Sequence, residues 1–159
     1  MSRGAFLRGA AALCAAALGG TEAWSESEKM QKRPIPSTGA LLPVISCGTW
    51  RVFDVGSAPA ERAPLAEVLA VLFEAGGSVI DSSPMYGAAE SVAGDLLAAS
   101  GSRDKAFIAT KVWTSGRAEG IAQMQQSMDR FRTGHIELMQ VHNLLDWQTQ
   151  LATLRAWKD

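Results

Sequence analysis

Gly77-Ser78-Val79-Ile80-Asp81-Ser82-Ser83-Pro84-Met85-Tyr86-Gly87 combines a short apolar strand with a polar loop. We expect the strand to end at Asp81, and Tyr86, the single tyrosine of the chain, follows in the loop. Two consecutive glycines, Gly76 and Gly77, end the helical pattern that precedes the strand. The segment therefore predicts a helix–strand junction that places a carboxylate and a phenol beyond the end of one strand.

Two further apolar runs also end at a polar side chain. Lys111 follows the run 107–110, and His142 follows the run 136–141. Helical patterns separate the runs, and strands that alternate with helices indicate parallel strands in βαβ units. The carboxyl ends of such strands meet on one face, so an acid, a phenol, an ammonium and an imidazole are expected to form a proton-handling site there.

Four strand–helix units account for most of the chain. We expect a small hairpin over residues 35–43, a first core strand over residues 44–47, and a helix after each core strand. The later strands lack in-and-out alternation, which indicates a sheet buried on both faces. A complete eight-unit β/α barrel needs ~250 residues. The 159 residues of this chain therefore predict either half of a barrel or a small open doubly wound sheet.

Each predicted helix has one apolar face, which we expect to pack in the core. Pro64 is expected in the opening turn of the first helix, and Asp146 at the N-cap of the fourth. The core-facing positions are Leu65, Val68, Leu69, Leu72 and Phe73 in the first helix, Val92, Leu96 and Leu97 in the second, Ile121, Met124, Met128 and Phe131 in the third, and Trp147, Leu151, Leu154 and Trp157 in the fourth.

The composition argues against a nucleic-acid partner and against a metal site. Apolar residues make up 47% of the chain, charged residues make up 19%, and the net charge is −1. This balance supports a globular core and shows no basic stripe that would indicate a nucleic-acid partner. The two cysteines, Cys14 and Cys47, lack the spacing of metal ligands. We therefore expect no metal site.

The first residues predict an export signal. Arg3 and Arg8 flank Phe6-Leu7, and an Ala- and Gly-rich run follows over residues 9–20. The run is shorter than the ~20 apolar residues of a membrane span, so we expect residues 1–23 to be a signal peptide without a stable membrane anchor. The start resembles a twin-arginine signal with Gly4 in the place of the second arginine. The expected location is the periplasm, and a cytoplasmic protein with an unstructured extension is the alternative.

Four motifs together resemble the aldo-keto reductase family. Segment 77–87 resembles its segment in which an aspartate precedes the catalytic tyrosine by five positions, and Ala109-Thr110-Lys111-Val112 resembles its catalytic-lysine strand end. Leu138-Met139-Gln140-Val141-His142-Asn143 resembles its histidine strand, and Gly48-Thr49-Trp50 is similar to the turn that touches its nicotinamide cofactor. After a linker over residues 24–34, the resemblance covers residues 35–159, which we identify as an aldo-keto reductase-like domain.

The resemblance implies the amino-terminal half, four β/α units, of a TIM-type (β/α)8 barrel. It implies reduction of small aldehydes or ketones to alcohols by NADPH, with NADH as the alternative. Tyr86 would donate the proton, Lys111 would favour its ionised form, Asp81 would hold Lys111, and His142 would orient the carbonyl. The implied cofactor contacts are Gly48, Thr49, Trp50 and Asp81, and the implied substrate contacts are Trp50, Tyr86, His142 and Asn143.

Most of the cofactor site of that family lies in the second half of the barrel. We therefore expect this chain to be a fragment with little activity alone. Two alternatives belong to other classes of protein. One is a non-catalytic binding module, because a fold does not fix a function. The other is a half-barrel that self-associates through its exposed strand edges.

Overall fold

The computed structural model describes residues 30–158. The predicted signal peptide and the first part of the predicted linker lie outside the described residues. Within residues 30–158, no helix is long and apolar enough to cross a membrane. In the same range, no group of three or more His, Cys, Asp or Glu side chains is placed to hold a metal ion.

A short antiparallel hairpin precedes the main sheet. Strand β1 (Lys32–Pro34) pairs with β2 (Leu41–Pro43), and Gly39 in the connecting turn has a φ of 73°. The predicted hairpin is therefore present, but its first strand lies in the segment predicted as a linker. The turn occupies residues 35–40, so the partner of β2 has to come from the residues before it.

Four parallel strands form the main sheet, in the spatial order β3-β4-β5-β6. An α-helix follows each strand. A doubly wound sheet reverses its strand order at a switch point, whereas successive strands of a β/α barrel are all neighbours. The unbroken order is that of half a barrel. The strands are β3 (Ser46–Gly48), β4 (Val79–Asp81), β5 (Phe107–Val112) and β6 (Leu138–Val141), and the helices are α1 (Pro59–Glu74), α2 (Ala89–Ser100), α3 (Arg117–Phe131) and α4 (Trp147–Lys158).

The core lies between the central strands and the helices that follow them. Ile80 of β4 and Ile108 of β5 are fully buried neighbours across the sheet. Leu97 of α2 and Phe131 of α3 are buried in the same cluster. The free thiol of Cys47 packs against this cluster as a small apolar group, and burial raises its pKa.

Two predicted boundaries are wrong. Strand β3 begins at Ser46, and the Val44 and Ile45 side chains that were expected to open it are exposed. Helix α1 begins at Pro59, so Pro64 lies inside the helix and not in its opening turn. Proline suits the first helical position because its fixed φ and missing N–H cost nothing there. Pro59, more than one turn before Pro64, occupies that first helical position.

The tryptophans predicted to bury one face of α4 are instead exposed, Trp147 by 47% and Trp157 by 41%. The buried positions of this helix include Gln150 and Thr153. The Gln150 Nε2 atom donates to the carbonyl oxygens of Thr114 at 3.2 Å and Gly116 at 2.8 Å. Buried backbone carbonyls need donors, so the polar side of α4 faces the loop after β5.

One position of α1 also differs from the prediction: Val68, predicted to be buried, is 46% exposed.

Asp146 stands at the start of α4, as predicted. Its carbonyl oxygen accepts the Gln150 N–H at 3.0 Å, and its carboxylate accepts the Gly116 N–H at 2.8 Å. The hydrogen bond from Gly116, with one from the Thr149 side chain, lowers the pKa of Asp146. The carboxylate therefore joins the loop after β5 to the first turn of α4.

Candidate active site

The sheet brings the predicted polar side chains to one edge. Asp81 is the last residue of β4, Lys111 lies near the end of β5, and His142 directly follows β6 in a short 3-10 turn. Tyr86 lies in the loop between β4 and α2. Parallel strands in matching register end on the same side, which is why four residues distant in the sequence come together.

Lys111 is held by three hydrogen bonds. Its Nζ atom donates to Asp81 Oδ1 at 3.0 Å, to Asp81 Oδ2 at 2.8 Å and to the Ser82 carbonyl oxygen at 2.6 Å. An ammonium has three protons, so these acceptors account for all of them. Charge-assisted hydrogen bonds are stronger than neutral ones. The ammonium therefore has a defined position, with the Lys111 side chain 12% exposed and that of Asp81 36% exposed.

The charge of Lys111 lies beside the phenol. Its Nζ atom is 5.3 Å from the centroid of the Tyr86 ring, within the range of a cation–π contact. The Tyr86 backbone is fixed by its N–H, which donates to the Ser83 carbonyl oxygen at 3.0 Å, and by its carbonyl oxygen, which accepts from Ala89 at 3.1 Å. The phenol is thus anchored through the first residue of α2.

His142 completes the cluster. Its ring centroid is 6.1 Å from that of Tyr86, and the two planes are nearly perpendicular at 84°. Burial and, secondly, the Lys111 ammonium lower the pKa of His142, and the Asp81 carboxylate opposes them only in part. The imidazole is therefore neutral at neutral pH, with one N–H donor.

Two indoles flank the cluster. The Trp50 ring is 6.4 Å from Tyr86 and is 62% exposed. The Trp113 ring is 6.3 Å from His142, edge to face, and 38% exposed. The sequence analysis missed Trp113, which directly follows β5. Its position two residues after Lys111, at the end of the strand, is the signal that could have identified it.

The residues predicted to touch a cofactor have different surroundings. Gly48 is exposed, and apart from its own chain neighbours no atom of the described residues lies within 4 Å of the place where a Cβ would stand. The Thr49 side chain is fully buried, and its Oγ1 lies 3.0 Å from the Asp81 carbonyl oxygen and 2.9 Å from Ser82 Oγ. Thr49 thus joins two loops, whereas Gly48 and Trp50 are open to a ligand. Asn143, a predicted substrate contact, is exposed in the turn after β6 with a φ of 52°.

Two further polar residues were not singled out from the sequence: Gln140 contacts the cluster, and Asp54 contacts the loop that carries Tyr86. Gln140 Nε2 lies 3.4 Å from Asp81 Oδ1. Asp54 Oδ1 accepts the Ala88 N–H at 2.9 Å, which ties the loop after β3 to the loop that carries Tyr86. Both contacts join residues more than thirty positions apart, and local sequence patterns do not report such pairs.

Comparison with known proteins places this arrangement in a family. The model of the aldo/keto reductase family matches residues 44–159. Methylglyoxal reductase YeaE of Escherichia coli is 32% identical over 118 residues, which are 71% of this chain and 40% of that protein. Aldehyde reductase YPR1 of Saccharomyces cerevisiae is 29% identical over 119 residues, 75% of this chain and 34% of that protein. The chain thus spans less than half the length of these relatives.

The fold also matches solved structures. An aldo-keto reductase from Klebsiella pneumoniae, solved in complex with NADPH, superposes with a TM-score of 0.66 at 25% identity. The superposition covers 80% of this chain and 45% of that one. The half-barrel topology of the described residues is therefore that of a known α/β-barrel architecture.

Proposed function

Because the chain belongs to the aldo/keto reductase family, we propose that the complete protein reduces the carbonyl group of a small aldehyde or ketone to an alcohol. The relatives named as methylglyoxal and aldehyde reductases support this substrate class. The observation that carries the proposal is the ammonium of Lys111, fixed by Asp81 and placed beside the single tyrosine of the chain.

The cofactor of the proposed reaction is NADPH, which the Klebsiella relative binds. When bound, it supplies the hydride. The described residues fit the nicotinamide end of such a ligand, because Gly48 leaves open space and Trp50 presents an exposed indole beside Tyr86. The Asp81 carboxylate, partly exposed, can accept a hydrogen bond from a ribose hydroxyl.

Tyr86 is the proposed proton donor. Its phenol would give its proton to the carbonyl oxygen as negative charge develops there, and the product would leave as an alcohol. Lys111 stabilises the phenolate that remains, because an adjacent cation favours an anionic form. Solvent then returns a proton to Tyr86. The Asp81 carboxylate contributes by keeping the ammonium charged and in place.

His142 is proposed to orient the substrate. A neutral imidazole carries one N–H, which can donate to the carbonyl oxygen without competing for the proton that Tyr86 delivers. The exposed faces of Trp50 and Trp113 flank the same space and can pack against the apolar part of the substrate. We therefore infer that these two indoles favour compact carbonyl compounds with an apolar or planar face.

Replacement of the phenol tests the proposal. In the complete protein, Tyr86→Phe should lower the turnover number for NADPH-dependent aldehyde reduction by about two to four orders of magnitude, the usual range for a general acid. NADPH binding and thermal stability should stay near those of the parent. Trp157→Phe, which alters an exposed aromatic on α4, is the matched control and should leave turnover unchanged. Activity within a few-fold of the parent would remove Tyr86 from the mechanism.

A further inference from the structure

Gln140 contacts the site from β6, the strand that directly precedes His142. It lies in β6 directly opposite Lys111 of β5 in the parallel register. Its Nε2 atom is 3.4 Å from Asp81 Oδ1, the same oxygen that accepts Lys111 Nζ at 3.0 Å. The Asp81 carboxylate is thus contacted from both β5 and β6.

We propose that Gln140 is a positioning residue that holds the Asp81 carboxylate, and through it the Lys111 ammonium, beside Tyr86. Its effect on catalysis rests on the proposed function, whereas the contact itself rests on the geometry alone. Gln140 is not proposed to touch substrate or cofactor.

The chemistry of an amide suits this position. Asp81 ends a strand of only three residues, and its side chain is 36% exposed. A carboxylate in that setting can turn toward solvent and draw Lys111 with it. A lysine at position 140 would compete with Lys111 for Asp81, and a glutamate would repel Asp81. A neutral N–H donor restrains the carboxylate without adding a charge.

The charged and titratable groups around Asp81 come from three elements. Lys111 faces it from β5, Tyr86 from the loop after β4, and His142 from the turn after β6. The charges of both Asp81 and Lys111 act on the pKa of His142. A change in the position or charge of the Asp81 carboxylate should therefore shift the titration of the imidazole. The chain has two histidines, so the other, His135, serves as an internal reference.

Two variants of Gln140 keep the length of its side chain, so they test its hydrogen bond to Asp81 separately from its packing. Gln140→Met removes the donor, and we expect kcat/KM to fall about three- to tenfold, the range of an ordinary hydrogen bond, because the 3.4 Å contact is long. Gln140→Glu places a second carboxylate beside Asp81. Like charges raise carboxylate pKa values, so the acid limb of the pH–rate profile should move to higher pH. The NMR titration midpoint of His142 should also move to higher pH, because the added carboxylate favours the imidazolium.

Leu138→Glu is the matched control, because it adds the same charge to the same strand two residues further from the site, at a position that is 42% exposed. It should shift the His142 titration clearly less than Gln140→Glu. Equal shifts from the two glutamates, or a Gln140→Met protein as active as the parent, would overturn the positioning role. A larger shift from Gln140→Glu in a protein without reductase activity would support the positioning of Asp81 and refute the proposed function.

Discussion

The Lys111 ammonium determines the electrostatics of its neighbours. Its three hydrogen bonds are directed at Asp81 and the Ser82 carbonyl, yet its charge also lies 5.3 Å from the Tyr86 ring centre and lowers the pKa of His142. One side chain therefore disfavours the imidazolium form of His142 and places a cation beside the phenol ring. In the proposed mechanism, the neutral imidazole can donate its N–H to the carbonyl oxygen, and the cation beside Tyr86 stabilises the phenolate that remains after the phenol has given up its proton.

This coupling predicts how His142 titrates. The NMR midpoint of His142 should lie below the ordinary value of about 6.5 for histidine, since burial and Lys111 both disfavour the imidazolium. Lys111→Met removes the nearby cation and leaves Asp81 as the dominant charge, so the midpoint should rise. Protonated His142 would then accumulate at a higher pH than in the parent.

Lys105→Met is the control for the His142 titration. Lys105 lies in the short 3-10 turn before β5, and this variant removes the same charge from the start of that strand. It should leave the His142 midpoint nearly unchanged. A midpoint that is the same in Lys111→Met and in the parent would show that the ammonium does not control the imidazole.

At the level of secondary-structure elements, the position of α2 connects the packing to the site. The helix starts three residues after Tyr86, and Gly94 on it packs directly on the backbone of α3. Its fully buried Glu90 accepts from Thr110 of β5 at 2.6 Å and from Arg130 of α3 at 3.1 Å. Thr110 is next to Lys111. Helix α2 therefore fixes the position of the loop that carries Tyr86 relative to β5, the strand that carries Lys111.

Gly94→Ala tests the close helix contact. A Cβ at this position would collide with the Arg130 carbonyl oxygen and the Phe131 backbone, neither of which is a flexible side-chain end. Overpacking of this kind costs about 1–3 kcal/mol and sometimes more, so we expect a loss of at least about 2 kcal/mol in the free energy of unfolding measured with urea.

Gly101→Ala is the comparison for the same helix. It meets open space but has to adopt a φ of 62°, which costs about 1–2 kcal/mol for a residue with a Cβ. The variant at Gly94 should therefore be the less stable of the two. The reverse order would contradict the backbone contact between α2 and α3.

The sequence predicts the elements better than the contacts between them. The strands that carry Asp81, Lys111 and His142 at or next to their ends were identifiable because apolar runs and turn residues are local signals. The buried face of α4 was not, because its periodicity favoured the tryptophans while the carbonyls of the loop after β5 required Gln150. Gln140 was missed for the same reason, since its partner lies 59 positions away.

At the level of the whole molecule, the four-stranded sheet has two edges that no strand within residues 30–158 covers. Strands β3 and β6 are the outer strands of the four-stranded sheet, and apolar side chains stand exposed beside them at Val44, Ile45 and Leu138. Unpaired edges with apolar neighbours invite pairing with another chain. In a closed barrel the two edges would be covered by further β/α units.

The 159-residue chain expressed alone is therefore expected to self-associate and to bind NADPH weakly. The proposed contacts to the nicotinamide end are Gly48, Trp50 and Asp81, which are exposed or partly exposed beside the polar cluster. The family resemblance implies that the phosphate contacts lie in the second half of the barrel. Bidentate and helix-terminus contacts to phosphate are the strong ones, so their loss should cost several kcal/mol, about a thousandfold or more in affinity.

Fluorescence titration with NADPH, run with light scattering on the same sample, measures both properties. We expect a dissociation constant well above the micromolar range and a mass above that of the monomer. Gly48→Ala would fill the space beside the ligand and should weaken the residual binding further, while Gly101→Ala, remote from the site, should not. Micromolar binding by a monomer would contradict both expectations, because it would require a complete cofactor site and covered strand edges within these 159 residues.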